Sequence, residues 1–330
     1  MSFFDLVKHD DNTFITSELW SPFPLYPAFG GHLVSLSLLA AEMYADARPS
    51  SIHTYFLLPG KIGTPMSFEV KFLREGRTTK AVNIRGYQSN ELIVTSDCLM
   101  NNELASTVFY KIPIEIYDDV YVHISTHFMN LLSPCTTNAL LKSEVHKNSS
   151  ALESGKAERQ RLHHGVNEMI RMVDENYKKL EKYFSVYIGK PNGTKRQFKI
   201  IFHDKYHDFN VLMAFISDLF LCNTSLAWIK QRYERRMNGN DSDHSNVKDC
   251  MLDGKCNSDT CIDLNSVVKK SLDHKIHFHS NKFYDELIFV TECQLLGEKK
   301  ALFEGKLLGP EGALVASVTQ EGIITVKSKN

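Results

Sequence analysis

The sequence predicts an α+β protein made of two similar units, each an antiparallel sheet wrapped around one central helix. Three observations lead to this prediction. The chain has 330 residues, which is long for one small domain and fits two. An apolar helical pattern followed by several strand-like runs occurs in each half. Landmark residues of the two halves also recur at shared intervals, as expected for a duplicated unit.

The first unit covers residues 1–115. Its helix is predicted after Gly30 and Gly31, because apolar residues recur at helical spacing through residues 32–43. Strand-like runs follow, and polar or Pro-Gly turns separate them. The runs are residues 52–58, 67–73, 79–88 and 92–99. One helix followed by antiparallel strands is the outline of a hotdog fold.

A connecting region and a second unit follow. Residues 116–180 form the connecting region, and a long amphipathic helix is predicted over residues 156–183, where apolar residues recur every three or four positions. The second unit covers residues 181–330, with an apolar helix over residues 209–221. A polar insertion at about residues 231–264 separates this helix from the later strands. The strand-like runs of this unit are residues 184–188, 197–203, 274–278, 287–295, 301–308 and 314–325.

A shift of 221 residues aligns landmarks of the two halves. It places His53 on His274, Phe68 on Phe289 and Ser96 on Ser317. Because the helix and the strands also follow in the same order, we interpret the chain as two fused hotdog units.

Differences between the halves point to the residues that carry function. Asp218 lies in the apolar helix of the second half, where Ala40 stands at the matching position of the first. The second half also has Gln320 where the first has Leu99, and Ser271 where the first has Ser50. A carboxylate in an apolar helix is costly unless it is hydrogen-bonded, and its pKa is open to shifting. A core carboxylate that is paired for structural reasons is the alternative interpretation.

Six short motifs occur in order along nearly the whole chain. They are FGGHL at 29–33, HTYFLLPG at 53–60, LREGR at 73–77, SDL at 217–219, SLDH at 271–274 with FH at 278–279, and VAS at 315–317 with QEG at 320–322. Together they resemble the motifs of TesB-like (thioesterase II) acyl-CoA thioesterases, of the peroxisomal type found in eukaryotes. The connecting region and the polar insertion lack a counterpart in this resemblance.

The resemblance implies a double hotdog that hydrolyses fatty acyl-CoA to free acid and CoA with an activated water. It implies catalytic roles for Asp218, Ser271 and Gln320, and it requires no cofactor and no metal. Backbone N–H groups near Gly30 and Gly31 would polarise the substrate carbonyl, although a tight turn explains this glycine pair equally well. His53, in the second motif, is the remaining candidate for substrate binding.

Two other functions stay open from the sequence. The chain could bind acyl-CoA without cleaving it and use the polar insertion as a partner surface. A hotdog hydratase is the weaker alternative, because His203, Asp204 and His207 only partly match the pattern of such enzymes. No GxSxG motif is present, so the sequence does not predict an α/β-hydrolase.

Composition limits the partners. The formal net charge is −1, which predicts neither a nucleic-acid partner nor attraction to an anionic membrane, and no apolar run is long enough for a transmembrane helix. Seven cysteines, an odd number, favour a reduced, intracellular protein, and the spacing of Cys250, Cys256 and Cys261 does not favour a metal site.

Two further features concern the cellular location and the oligomeric state of the protein. The sequence ends in Ser-Lys-Asn at 328–330, close to the Ser-Lys-Leu signal that a peroxisomal import receptor reads. With the resemblance, this predicts a peroxisomal location, with the cytoplasm as the alternative. Two fused hotdogs can pair within one chain, while the family's tendency to associate favours a homodimer, so both states stay open.

Overall fold

The protein is described here by a computed structural model, which describes residues 4–22, 27–101, 122–123, 171–172, 174–189, 194–203, 208–219, 221–225, 267–280, 282–297 and 299–326. Within these residues, strands of both halves form one continuous antiparallel sheet. The polar insertion, Cys250, Cys256, Cys261 and the last three residues lie outside the described residues.

The sheet contains two groups of strands in chain order. The first group is β1 (Val7–Lys8), β2 (Thr13–Thr16), β3 (Arg48–Phe56), β4 (Met66–Glu75), β5 (Thr79–Gln88) and β6 (Glu91–Asn101), and β7 (Val122–His123) follows within the connecting region. The second group is β8 (Phe184–Ile188), β9 (Lys195–Phe202), β10 (Val267–Ser271), β11 (Asp273–Phe278), β12 (Glu286–Leu296), β13 (Lys300–Leu308) and β14 (Leu314–Val326).

The order across the sheet is β1-β2-β4-β5-β6-β3-β11-β14-β13-β12-β9-β8-β7, and β10 pairs with β14 beside this path. The two halves meet where β3 pairs with β11, with Ile52 opposite Ile276. Both isoleucines are fully buried, so the junction lies over the core. The shared pairing gives each half a neighbour for its inner edge strand, which would otherwise expose unpaired backbone groups.

Two helices fill the inside of the curved sheet. They are α1 (Gly30–Ala45) and α2 (Phe209–Ser217). The residues of α2 are all buried, and α1 is buried along most of its circumference. A helix that is enclosed on nearly every side is typical of a fold in which a sheet wraps around it. The two helices also pack against each other, which brings the start of α1 to the end of α2.

The second helix is shorter than the sequence predicts. We expected it over residues 209–221, with Asp218 inside it, but α2 ends at Ser217 and Asp218 is its C-cap residue. A short 3-10 helix, Leu221–Thr224, follows. The apolar pattern continues through both segments, so helical periodicity alone could not locate the end of α2.

The 221-residue shift is wrong at several strand positions. His274 is fully buried, whereas the His53 side chain is 30% exposed on the outer face of the sheet. Gln320 is buried, whereas Leu99 is exposed. Because neighbouring strand residues point to opposite faces, an alignment that is off by one residue pairs an inner side chain with an outer one.

Part of the connecting region is described. Residues 171–172 and 174–180 are helical, as predicted, and they lead directly into β8. The remainder of the predicted helix over residues 156–183 lies outside the described residues, apart from the turn at 181–183. Among the described residues, none of the helices has the length and apolar character needed to cross a membrane.

Candidate active site

Asp218 lies where the two central helices meet. As the C-cap of α2, it has φ −93° and ψ −9°, and the residue is only 8% exposed. The C-terminal end of a helix carries partial negative charge, so α2 itself does not favour a carboxylate here. Donors from other elements must therefore stabilise the ionised form.

The first of these donors comes from the start of α1. The Gly31 N–H donates a hydrogen bond to the Asp218 carboxylate. A Cβ on Gly30 would come within 2.7 Å of Asp218 Oδ2, and a Cβ on Gly31 within 2.4 Å of the Phe215 carbonyl oxygen. Both glycines thus permit the close approach of α1 to the end of α2. The pair begins a helix and does not form an isolated tight turn.

Gln320, on β14, joins Asp218 to Ser271. Its side-chain Nε2 donates to Asp218 Oδ1 at 2.9 Å and to Ser271 Oγ at 2.6 Å. Gln320 is 1% exposed, so this amide is fixed inside the core. The structure therefore brings together the three side chains for which the sequence predicts catalysis, and their catalytic role stays a prediction.

A shift in the strand ladder aims Ser271 into this cluster. Both β10 and β11 pair with β14. Ser271, the last residue of β10, lies opposite Gly322, whereas Lys275 of β11 lies opposite Thr319, so the register changes by one residue between them. In a regular strand, Ser271 and His274 would point to opposite faces because they are three residues apart. The shift, between Ser271 and Lys275, lets both point inward.

The electrostatics of the cluster favour a carboxyl group that titrates near neutral pH. Burial raises the pKa of Asp218 to about 7, while the hydrogen bonds from Gln320 and Gly31 lower it in part. Such a group can take a proton at physiological pH and return it. Burial also raises the pKa of the Cys222 thiol to about 12; its Sγ lies 3.7 Å from Ser271 Oγ, and it stays protonated.

His274 is a member of the cluster that the sequence did not single out as functional. Its Nδ1 lies 3.4 Å from Gln320 Oε1 and 3.9 Å from Asp218 Oδ1, and its Nε2 lies 2.8 Å from Ser217 Oγ. Burial lowers the pKa of His274 to about 4, so the ring is neutral near pH 7. The SLDH motif contained this histidine, but the sequence does not show that its side chain points inward to Gln320.

His53 lies apart from this cluster. Its Nε2 is 2.9 Å from Asp273 Oδ2, and its ring packs on Tyr55. Its neighbours on β3, Ile52 and Thr54, are fully buried, so His53 points to the outer face. The structure does not bring His53 to Asp218, and a contact with substrate stays a prediction for this residue.

The residues that suggested a hydratase are only partly described. His203 Nε2 lies 2.6 Å from Ser185 Oγ. His203 follows β9, and two strands, β12 and β13, separate β9 from β14, the strand that carries Gln320. Asp204 and His207 lie outside the described residues.

Comparison with known families and curated proteins supports the predicted relationship. Residues 17–100 match the model of the acyl-CoA thioesterase N-terminal domain. The chain is 36% identical over 95 residues to peroxisomal acyl-coenzyme A thioester hydrolase 1 of Saccharomyces cerevisiae, covering 28% of this chain and 27% of that protein. It is 39% identical over 67 residues to acyl-CoA thioesterase 2 of Haemophilus influenzae, covering 20% of this chain and 23% of that protein. The matched stretches thus span about a quarter of these two relatives.

Solved structures match over almost the whole length. The TesB protein of Mycobacterium avium subsp. paratuberculosis superposes with a TM-score of 0.59 at 18% identity, covering 98% of this chain and 96% of the other. The acyl-CoA thioesterase II TesB2 of Mycobacterium marinum gives a TM-score of 0.57 at 19% identity, with 99% and 97% covered. A hot dog fold protein of Alicyclobacillus acidocaldarius gives 0.58 at 11% identity, with 99% and 98% covered.

These comparisons confirm the predicted fold. The match to the domain model includes Gly30, Gly31 and His53, whereas Asp218, Ser271 and Gln320 lie outside the residues that this model matches. The chain has the double hotdog fold, and its first hotdog matches the acyl-CoA thioesterase N-terminal domain family.

Proposed function

We propose that this protein hydrolyses acyl-CoA thioesters, with Asp218, Ser271 and Gln320 acting on one water molecule. The observation that carries the proposal is the Gln320 amide, which hydrogen-bonds both to Asp218 and to Ser271 inside the core. The match of residues 17–100 to an acyl-CoA thioesterase domain and the names of the two curated relatives support the substrate class.

In the proposed reaction, ionised Asp218 removes a proton from the water as its oxygen attacks the thioester carbonyl. The tetrahedral intermediate then expels the CoA thiolate, which takes the proton back from the Asp218 carboxyl group. The products are a free carboxylic acid and CoA, so no acyl-enzyme intermediate is needed. A base with a pKa near the working pH can both accept and return this proton efficiently.

The other groups orient the reactants. Because Ser271 Oγ accepts a hydrogen bond from Gln320, its own proton is available to the water or to the carbonyl oxygen. The start of α1 at Gly30 lies against Asp218, and the partial positive charge of a helix N-terminus suits a developing oxyanion. We therefore assign the carbonyl oxygen to this end of α1.

The proposal is tested with purified full-length protein and a panel of acyl-CoA substrates of different chain length, using a thiol reagent to detect released CoA. We expect the Gln320→Ala variant to lose about 100-fold in kcat because Asp218 and Ser271 lose their shared donor. We also expect wild-type kcat/KM to rise with pH through about 7, since Asp218 must be ionised to act.

The matched control is Thr319→Ala, which changes the next residue of β14 on the exposed face and should keep near-normal turnover. Acyl-CoA that binds but stays intact with wild-type protein would contradict hydrolysis and favour a binding module. Hydration of an enoyl-CoA without thiol release would favour the hydratase.

We further propose that the protein works in peroxisomes, which the name of the yeast relative supports. A fluorescent protein fused ahead of the chain should colocalise with a peroxisomal marker. Removal of residues 328–330 should make the signal diffuse if an import receptor reads them. Diffuse fluorescence of the intact fusion would contradict the peroxisomal location.

A further inference from the structure

His274 completes a buried hydrogen-bond chain that runs from the end of α2 to the proposed water site. The chain passes from Ser217 Oγ to His274 Nε2 at 2.8 Å, then from His274 Nδ1 to Gln320 Oε1 at 3.4 Å. Gln320 Nε2 continues it to Asp218 Oδ1 at 2.9 Å. Ser217 and His274 are fully buried and Gln320 nearly so, so water does not compete for these bonds.

The chemistry of each group fixes the protons when Asp218 is ionised. A carboxylate only accepts, so the Gln320 amide must turn its NH2 group towards Asp218. Its carbonyl oxygen then faces His274, and this oxygen also only accepts. His274 must therefore carry its proton on Nδ1. The Ser217 hydroxyl must then turn from the Ala214 carbonyl oxygen, 2.8 Å away, to donate its one proton to His274 Nε2.

A second arrangement satisfies the same atoms when Asp218 is protonated. The Asp218 hydroxyl would donate to a turned Gln320 carbonyl, and the amide NH2 would donate to an unprotonated His274 Nδ1. His274 Nε2–H would then donate to Ser217 Oγ, whose own proton is held by the Ala214 carbonyl oxygen at 2.8 Å. In this arrangement Ser271 must donate to the Gln320 carbonyl, so its proton is no longer available to the water.

We propose that His274 is a positioning residue, which holds the Gln320 amide in the orientation that keeps Asp218 ionised and the Ser271 proton free. This role rests on the proposed thioesterase function. His274 touches neither substrate nor water in the proposal, and it acts only through Gln320. The neutral ring is essential, because a charged imidazolium would donate from both nitrogens; the lowered pKa of His274 is consistent with that requirement.

The other groups that bear on these titrations are few among the described residues. Cys222 faces Asp218 from the 3-10 helix, and Lys269 lies near Cys222. Asp273 and His53 act on His274 from the outer face of the sheet. Variants of His274 therefore test whether a shift in the acid limb of the kcat/KM profile comes from this histidine.

Two substitutions separate the two ring nitrogens. In His274→Asn, the side-chain amide can replace the Nδ1–H donor, whereas in His274→Gln it reaches towards the Nε2 position and loses the contact with Gln320. We expect His274→Gln to lower kcat/KM about 10-fold or more and to move its acid limb upward by about half a pH unit or more, because Asp218 loses a correctly oriented donor. His274→Asn should recover most of this shift.

Ser217→Ala removes the hydroxyl that sets the histidine tautomer, and it should move the acid limb in the same direction. Its control is Ser37→Ala in α1, which removes a buried hydroxyl that donates to the Leu33 carbonyl oxygen at 2.8 Å and should leave the acid limb unchanged. Equal pH profiles in the Asn and Gln variants of His274 would show a packing role only and would overturn the proposal.

A direct measurement does not depend on turnover. The 15N chemical shifts of histidine-labelled protein distinguish protonated from unprotonated ring nitrogens, and the signal that disappears in His274→Asn identifies His274. At pH 9 we expect the Nδ1-protonated tautomer in the wild type. An Nε2-protonated ring at that pH would overturn the proposal even if the protein is a thioesterase, whereas loss of the thioesterase proposal would leave this tautomer assignment intact.

Discussion

Asp218→Asn is expected to lower kcat at least about 100-fold, because the variant keeps the shape of the side chain but cannot take a proton from water. The reduction should appear in kcat at saturating acyl-CoA, with a smaller change in KM. The matched control is Asp97→Asn, which alters an exposed carboxylate on the outer face of β6 and should keep full turnover.

The same substitution is expected to stabilise the protein at alkaline pH. Burial holds the pKa of Asp218 at about 7 in the folded state, above its usual 3.8. As pH rises between these two values, the carboxyl group ionises in the unfolded chain before it ionises in the folded protein. The free energy of unfolding therefore falls over this range, and the loss is complete above about pH 7. The difference of about three between the folded and unfolded pKa values corresponds to a loss of stability of at most about 4 kcal/mol.

We expect Asp218→Asn to raise the free energy of unfolding by about 1–3 kcal/mol at pH 8. The gain is smaller than that limit because asparagine has one side-chain oxygen to accept from both the Gly31 N–H and Gln320 Nε2. Urea unfolding at pH 8 and pH 5 measures the difference, which should shrink at the lower pH. Loss of turnover together with lower stability at pH 8 would point to a structural carboxylate and against a buried base.

Gly31→Ala is the second substitution with a large expected effect. The added Cβ would lie 2.4 Å from the Phe215 carbonyl oxygen and 2.5 Å from the Phe29 ring. Because one of these contacts is backbone, α1 and α2 must move apart. We expect a loss of about 2–3 kcal/mol in the free energy of unfolding.

The movement should also affect turnover. Displacing α1 lengthens the hydrogen bond from the Gly31 N–H to Asp218, so the soluble fraction of the variant should have lower kcat and an acid limb shifted upward. Gly297→Ala is the control, because its nearest neighbour would be 3.4 Å away. Equal urea midpoints for the two variants would show that the helices tolerate a side chain at Gly31.

The elements of the fold were predictable where local pattern and tertiary environment agree. Apolar spacing over residues 32–43 predicts a helix, and α1 is Gly30–Ala45. Alternating residues such as those of β4 predict strands, since one face is buried. The short strands β1 and β2 were missed, because strands of two and four residues carry too little periodicity.

The location of the site was predictable only in part. Asp218 stands out in the sequence because a carboxylate interrupts an apolar run, although that run does not reveal that α2 ends one residue earlier. Gln320 was found through a comparison with Leu99, an exposed residue on the opposite face. Gln320 does contact Asp218 and Ser271, although the alignment that selected it was wrong, and its catalytic role stays a prediction.

By itself, the sequence predicted the hotdog units, the similarity to acyl-CoA thioesterases and the three polar residues that meet at the candidate site. Only the tertiary structure decided which side chains share that site. His53 lies on β3 with its side chain on the outer face of the sheet, apart from Asp218. His274 joins the cluster because a one-residue register shift between β10 and β11 lets both Ser271 and His274 point inward, and strand pairing, not composition, produces that shift.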